Sequence, residues 1–183
     1  MSAKRSGFKQ NLQFFDKLRM KTRPLESLPL MEGIADIYMP DFKFWDPTMA
    51  RRYSCAPDYP EVARQAIKKM HRQVGPLVVD DGGVATRRLL LHHLVMPNDI
   101  CGTCEIIHWV ARELGTGTYA NIIPQYHPAG KISDAQYSEI NRCLTHREFR
   151  QAIQAGREAG LFRLDLRSAW QANICWRLMV CTR

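Results

Sequence analysis

Pro40, Pro97 and Pro124 each end an apolar run, and each is followed by polar side chains. Proline lacks the ladder N–H and restricts its neighbour, so each of the three marks a strand end. Past Pro40 stand a carboxylate and an ammonium group, Asp41 and Lys43, with the rings of Phe42 and Trp45. Past Pro97 come Asn98 and Asp99, and past Pro124 come Gln125, Tyr126, His127 and Lys131. Polar groups delivered at the carboxyl ends of strands are the material of a binding site. No Ser-His-Asp order, phosphate-cradling glycine loop or paired catalytic carboxylate accompanies them.

Other residues carry weaker signals. His92 and His93 are adjacent in one strand, so they point to opposite faces; one can look into a site while the other packs on a helix. Cys101-Gly-Thr-Cys104 places two thiols at a predicted helix start, where the dipole would lower a thiol pKa and permit redox chemistry or metal binding. His108 lies one turn beyond Cys104, but tetrahedral zinc wants four ligands and no second cysteine pair is near. Two thiols lining a helix start is the simpler reading.

Elements that would position these groups follow from spacing and punctuation. A first strand begins at Gly33 and ends at Pro40; Asp46-Pro47 then reads as a helix cap with proline at the first helical position, leading a short turn through Arg51. Asp58 marks the start of a longer helix in which Val62, Ala63, Ala66, Ile67, Met70 and Val74 recur at helical spacing, stopped by Gly75. Leu77–Val84 reads as a hairpin around Asp-Gly and Gly-Gly. Leu89–Met96, apolar on both faces except at its histidines, reads as a buried parallel strand. Thr103 is the expected cap of a helix carrying Ile106, Ile107, Val110 and Leu114, and Tyr119–Ile123 is the third strand. A helical stretch is expected near Ala135–Cys143, then a capping box at Thr145–Glu148 opens a helix ending at Gly160, and Leu161–Asp165 is a final short strand. Successive strand–helix units imply parallel strands with right-handed crossovers, placed like consecutive staves of a barrel. The three polar clusters would then share one face.

The chain has 183 residues, 45% of them hydrophobic, enough for one domain with a sizeable core. Its net charge of +8 is unevenly placed: residues 1–24 carry +6, residues 166–183 carry +3, and the body 25–165 carries −1. The basic character belongs to the ends, which argues against a nucleic-acid or anionic-membrane surface on the body. Three segments are therefore expected: 1–24 as a basic, disordered extension, 25–165 as the domain, and 166–183 as an unrelated basic tail. Phe8, Leu12, Phe15 and Leu18 would form a helical stripe in the extension, as in a membrane-lying or transit-type segment, or it is simply a frayed end. No run reaches the roughly 18 to 20 apolar residues of a membrane helix, and no secretory signal opens the chain, so a soluble cytoplasmic protein with six reduced cysteines is expected.

The stretches DIYMPDFKFWD, YSCAPDYPEVARQAIKKMHRQVG, HHLVMPND and YANIIPQYHPAGK together resemble the later half of radical S-adenosylmethionine proteins. They are most similar to the group of pyruvate formate-lyase activating enzyme, over roughly Leu25 to Asp165. The resemblance implies an α/β fold, the C-terminal three βα units of a partial (βα)6 TIM-like barrel. In that family a 4Fe-4S cluster, held by a CxxxCxxC loop after the first strand, reduces S-adenosyl-L-methionine to a 5′-deoxyadenosyl radical that takes hydrogen from the substrate. Asp41 and Lys43 match the family's Asp-x-Lys, whose lysine can pair with the cofactor's carboxylate. His127, with Gln125 before it, matches the sixth-strand loop near the adenosyl end, and His92 stands where the family usually has arginine.

The departures shape the expectation as much as the matches. No CxxxCxxC occurs in this sequence, and the Gly-Gly-Glu-type motif that holds the cofactor's amino group is absent. Without three thiolates the cluster has no home. The chain is expected to be a truncated form, inactive alone and holding neither S-adenosyl-L-methionine nor the 4Fe-4S cluster stably. Its expected partner is a missing N-terminal half or further copies of itself. The competing expectation is a non-catalytic binding or scaffold protein that uses its basic ends to contact nucleic acid or anionic membrane.

Overall fold

The computed structural model describes residues 23–76, 78–81 and 85–165. The expectations for the basic extension, apart from its last two residues, and for the tail lie outside them. Among the described residues the helices are α1 (Arg23–Ser27), α2 (Pro47–Ser54), α3 (Tyr59–Val74), α4 (Thr103–Glu113) and α5 (His146–Glu158), with strands β1 (Ile37–Tyr38), β2 (Val78–Val79), β3 (Ala85–Leu94) and β4 (Tyr119–Ile123).

The fold is α/β, built on a small sheet in which β1, β3 and β4 run parallel. β3 is central, with β1 against its first half and β4 against its second. Single bridges extend the pattern at both ends: Asp41 pairs with His92, and Leu164 pairs with Ala120, both parallel. β2 pairs antiparallel with the start of β3, Val78 opposite Arg87 and Val79 opposite Ala85, so the second arm of the hairpin lies beyond the expected Leu77–Val84 and the strand expected at Leu89 begins at Ala85.

Strand alternation sorts the side chains. Tyr38, Phe42, Leu89, Leu91, His93, Ala120 and Ile122 face the helices and are buried. Tyr38 donates to Gln73 of α3, Phe42 meets Trp109 of α4 edge-on at 5.5 Å, and Ile122 and Leu164 close on Gly156 of α5. A fully buried Phe42 side chain contributes on the order of 2 to 3 kcal/mol. The alternate residues Asp41, His92, Asn121 and Asp165 therefore belong to the sheet's second face.

Several boundaries differ from the sequence-based expectation. β1 starts at Ile37 because Gly33 sits in a turn at φ 75°, so the apolar run is not all strand. Thr103 does not cap α4. Gly102, at φ 67°, precedes the helix, and the Thr103 hydroxyl is spent on His93, while the Asp99 carboxylate accepts the Thr103 N–H. The helix expected near Ala135–Cys143 is only a 3-10 turn at Ser138–Ile140. The predicted caps at Asp46 and at the Thr145–Glu148 box form as expected, as do the bounds of β4.

Candidate functional site

The segment after β1 is held in register by β3. His92 donates its N–H to the Pro40 carbonyl and accepts from the Phe42 N–H, both at 2.9 Å. Only the Pro40 carbonyl is used, so the missing proline N–H costs nothing. This pairing sets Asp41 across from His92, on the face away from the helices.

Asp41 lies between two basic groups. Its Oδ2 is 3.6 Å from Lys43 Nζ, and its Oδ1 is 3.8 Å from His92 Nδ1. Burial pushes the His92 imidazole below its usual range, outweighing the pull of Asp41 and Asp165, and nearby Arg88 pushes the same way. At neutral pH His92 is therefore a neutral ring, and Lys43 is the cationic partner of Asp41. The Lys43 side chain is 41% exposed, so this pair adds little stability and its ammonium is within reach of a ligand.

The row continues across the sheet. His92 is in register with Asn121, and the Ala120–Leu164 bridge sets Asp165 beside Asn121. One pleated face thus aligns Asp41, His92, Asn121 and Asp165, with Lys43 at its upper end. Arg88 lies below His92 on the same face, its guanidinium 5.6 Å from the Tyr119 ring centre and its Nε buried without a hydrogen-bond partner. Asn121 and Asp165 escaped the motif reading, but the alternation of Ala120 and Ile122 toward the helices was the available signal.

The other polar clusters meet different fates. Asn98 and Asp99 adopt positive φ angles of 60° and 52°, and their polar groups are structural. Asn98 takes the Glu148 carboxylate on its N–H, donates its amide to the Glu139 carbonyl and accepts from Arg142. Glu148 also receives a two-nitrogen contact from Arg142, which holds its carboxyl well below the usual range. Tyr126 is buried and donates to the Ile140 carbonyl. Gln125 and His127 are exposed on the loop after β4; the His127 Nδ1 lies 3.9 Å from Cys143 Sγ. Among the predicted residues, the structure draws Asp41, Lys43 and His92 together.

Neither thiol of the CxxC pair is activated by the start of α4. Cys101 is fully buried, its thiol donates to the Leu94 carbonyl, and burial pushes it up to about 12. Cys104 is also raised, by burial and by the carboxylates of Asp99, Glu105 and Glu158, the reverse of the dipole expectation. His108 bonds the Cys104 carbonyl instead of a shared ligand. Among the described residues no group of three or more His, Cys, Asp or Glu side chains could hold a metal ion, and none of the helices is long and apolar enough to cross a membrane.

No family model and no solved structure matches the chain. It is similar to an uncharacterized protein of Methanocaldococcus jannaschii, 30% identical over 143 residues, a match that covers 78% of this chain and 36% of that protein. The chain thus spans little more than a third of the length of the curated relative it matches.

Proposed function

We propose that this chain is the cofactor-facing part of a radical S-adenosylmethionine-type barrel, its three strand–helix units serving as the fourth, fifth and sixth staves. The observation that carries the reading is the meeting of Asp41, Lys43 and His92 at the carboxyl ends of adjacent parallel strands, on the face turned from the helices. Sequential parallel strands with helices on one face are the geometry of barrel staves. The sequence stretches that resemble the family supply the same three residues.

In this role Lys43 binds the carboxylate of S-adenosylmethionine and Asp41 orients the ammonium. Neutral His92 offers a hydrogen bond where the family's arginine would offer a fixed cation. His127 and Gln125, on the adjoining loop, are assigned to the adenosyl end. When bound in a complete enzyme the cofactor supplies a carbon radical for hydrogen abstraction. The residues do not fit the 4Fe-4S cluster: Cys101 is buried on a backbone carbonyl and the described cysteines form no set of three. The chain alone therefore binds and orients the cofactor weakly and does not cleave it, and a polypeptide with the other staves, or a second copy, completes the barrel in the cytoplasm.

The test is a titration with S-adenosylmethionine followed by NMR. Saturable shifts centred on Asp41, Lys43 and His92, lost in Lys43→Ala, are expected. Shifts elsewhere, or none, would overturn the reading. Anaerobic treatment with iron and sulfide should yield neither the broad visible absorption of a 4Fe-4S cluster nor 5′-deoxyadenosine; a stoichiometric cluster would refute the account of this chain as lacking its own.

A further inference from the structure

In a parallel ladder, one residue of the neighbouring strand donates its N–H to the C=O of residue i and accepts from the N–H of residue i+2. His92 does this for Pro40 and Phe42 on the inner edge of the segment after β1, at 2.9 Å for both bonds. The outer edge carries the same pattern with no strand on it among the described residues. Tyr59 donates its hydroxyl to the Asp41 carbonyl at 2.9 Å and accepts the Lys43 N–H at 2.8 Å.

We propose that Tyr59 is the positioning residue of this site, its phenol standing in for a neighbouring strand and fixing the backbone from which Asp41 and Lys43 project. The inference rests on the reading of Lys43 as a carboxylate-binding cation. A buried phenol is satisfied by one partner. This one makes two, both to the backbone of the residues whose side chains form the ion pair. Its own placement is rigid: Tyr59 is the first residue of α3, only 8% exposed, with its ring edge-on to Phe44 at 6.3 Å. Burial raises its hydroxyl well above the usual range, so it stays protonated and can both donate and accept.

Two consequences follow. The segment Pro40–Lys43 is bonded on both edges, which leaves side-chain torsions as the main freedom of Lys43. The outer edge is also closed to strand pairing at Asp41 and Lys43, so a chain that adds to this edge must stop before Asp41.

The experiment compares wild type with Tyr59→Phe, which keeps the ring, and with Phe44→Leu, which loosens the ring packing but keeps the hydroxyl. Amide hydrogen exchange at Lys43 should rise on the order of tenfold in Tyr59→Phe beyond any rise at core amides, and should follow the core in Phe44→Leu. Equal exchange at Lys43 in wild type and Tyr59→Phe would overturn the proposal. NMR titration supplies the second readout. Tyr59→Phe should weaken binding of S-adenosylmethionine but not of 5′-methylthioadenosine, which lacks the carboxylate; equal weakening of both would show a general structural role instead. If Lys43 exchange rises but wild type shows no response to S-adenosylmethionine, the positioning role stands and the cofactor reading falls.

Discussion

The Nδ1 of His93 lies 2.7 Å from the carbonyl oxygen of Phe42. A carbonyl only accepts, so Nδ1 carries the proton and Nε2, 2.9 Å from the Thr103 hydroxyl, is the acceptor. One buried neutral imidazole thus ties the segment after β1 to β3 and to the start of α4, directly behind Asp41 and Lys43.

Replacing His93 by phenylalanine should cost about 2 to 3 kcal/mol, because it strands the Phe42 carbonyl and the Thr103 hydroxyl in the core. Urea unfolding measures it. A change under about 0.5 kcal/mol would mean that these bonds carry no net weight.

Acid should destabilise the chain in two steps. Burial lowers the folded pKa of His71, His92 and His93 below the unfolded value of 6.5. A lowered base favours the fold while neutral, so its contribution is complete above pH 6.5 and is lost as pH falls through the folded values. Glu148 is lowered from 4.5, chiefly by its hydrogen bonds with Arg142, so its contribution persists until pH falls below 4.5. Thermal melts across this range should show Tm declining from pH 6.5 downward, with a further fall below 4.5 that Glu148→Gln reduces; Asp46, Glu61, Glu113 and Glu139, also lowered, keep their share.

Gly102 precedes α4 at φ 67°, and a Cβ there would come within 2.7 Å of Trp45 Cβ. Gly102→Ala should therefore destabilise by about 2 kcal/mol or more, from backbone strain and the displaced tryptophan. The clash falls on the Trp45 side chain, whose backbone N–H is held on the Cys101 carbonyl, so the indole must shift and tryptophan fluorescence should change in the folded variant. An unchanged Tm would contradict the close approach.

Cys101 should resist alkylation at pH 7.5 until the chain unfolds, since it is buried and its thiol is raised to about 12. Cys104 is exposed but also raised, so it should react more slowly than a free thiol of ordinary pKa near 8.5. Mass spectrometry after timed labelling reads both. Rapid labelling of Cys101 in the native state would refute the packing described for it.

Local signals were legible wherever one residue's chemistry decides the outcome. Asp46-Pro47 and the Thr145–Glu148 box cap their helices because those side chains reach backbone N–H groups only a few residues away. The Thr103 cap failed because His93, ten residues earlier and buried, offered the hydroxyl a better partner. The helix expected at Ala135–Cys143 shortened to a 3-10 turn for a similar reason. Tyr126 donates to the Ile140 carbonyl, and Tyr137 turns to φ 63° with its ring 5.5 Å from that of Tyr53.

The candidate site divides the same way. Strand alternation alone separates His92 from His93, and the prolines alone mark where the strands stop; both are properties of the chain's own geometry. Three facts needed the tertiary structure: the pairing of Asp41 with His92, the alignment of Asn121 and Asp165 with them, and the grip of Tyr59 on the outer edge. Register between distant strands is chosen by packing of the whole sheet against its helices, which no local window of residues contains.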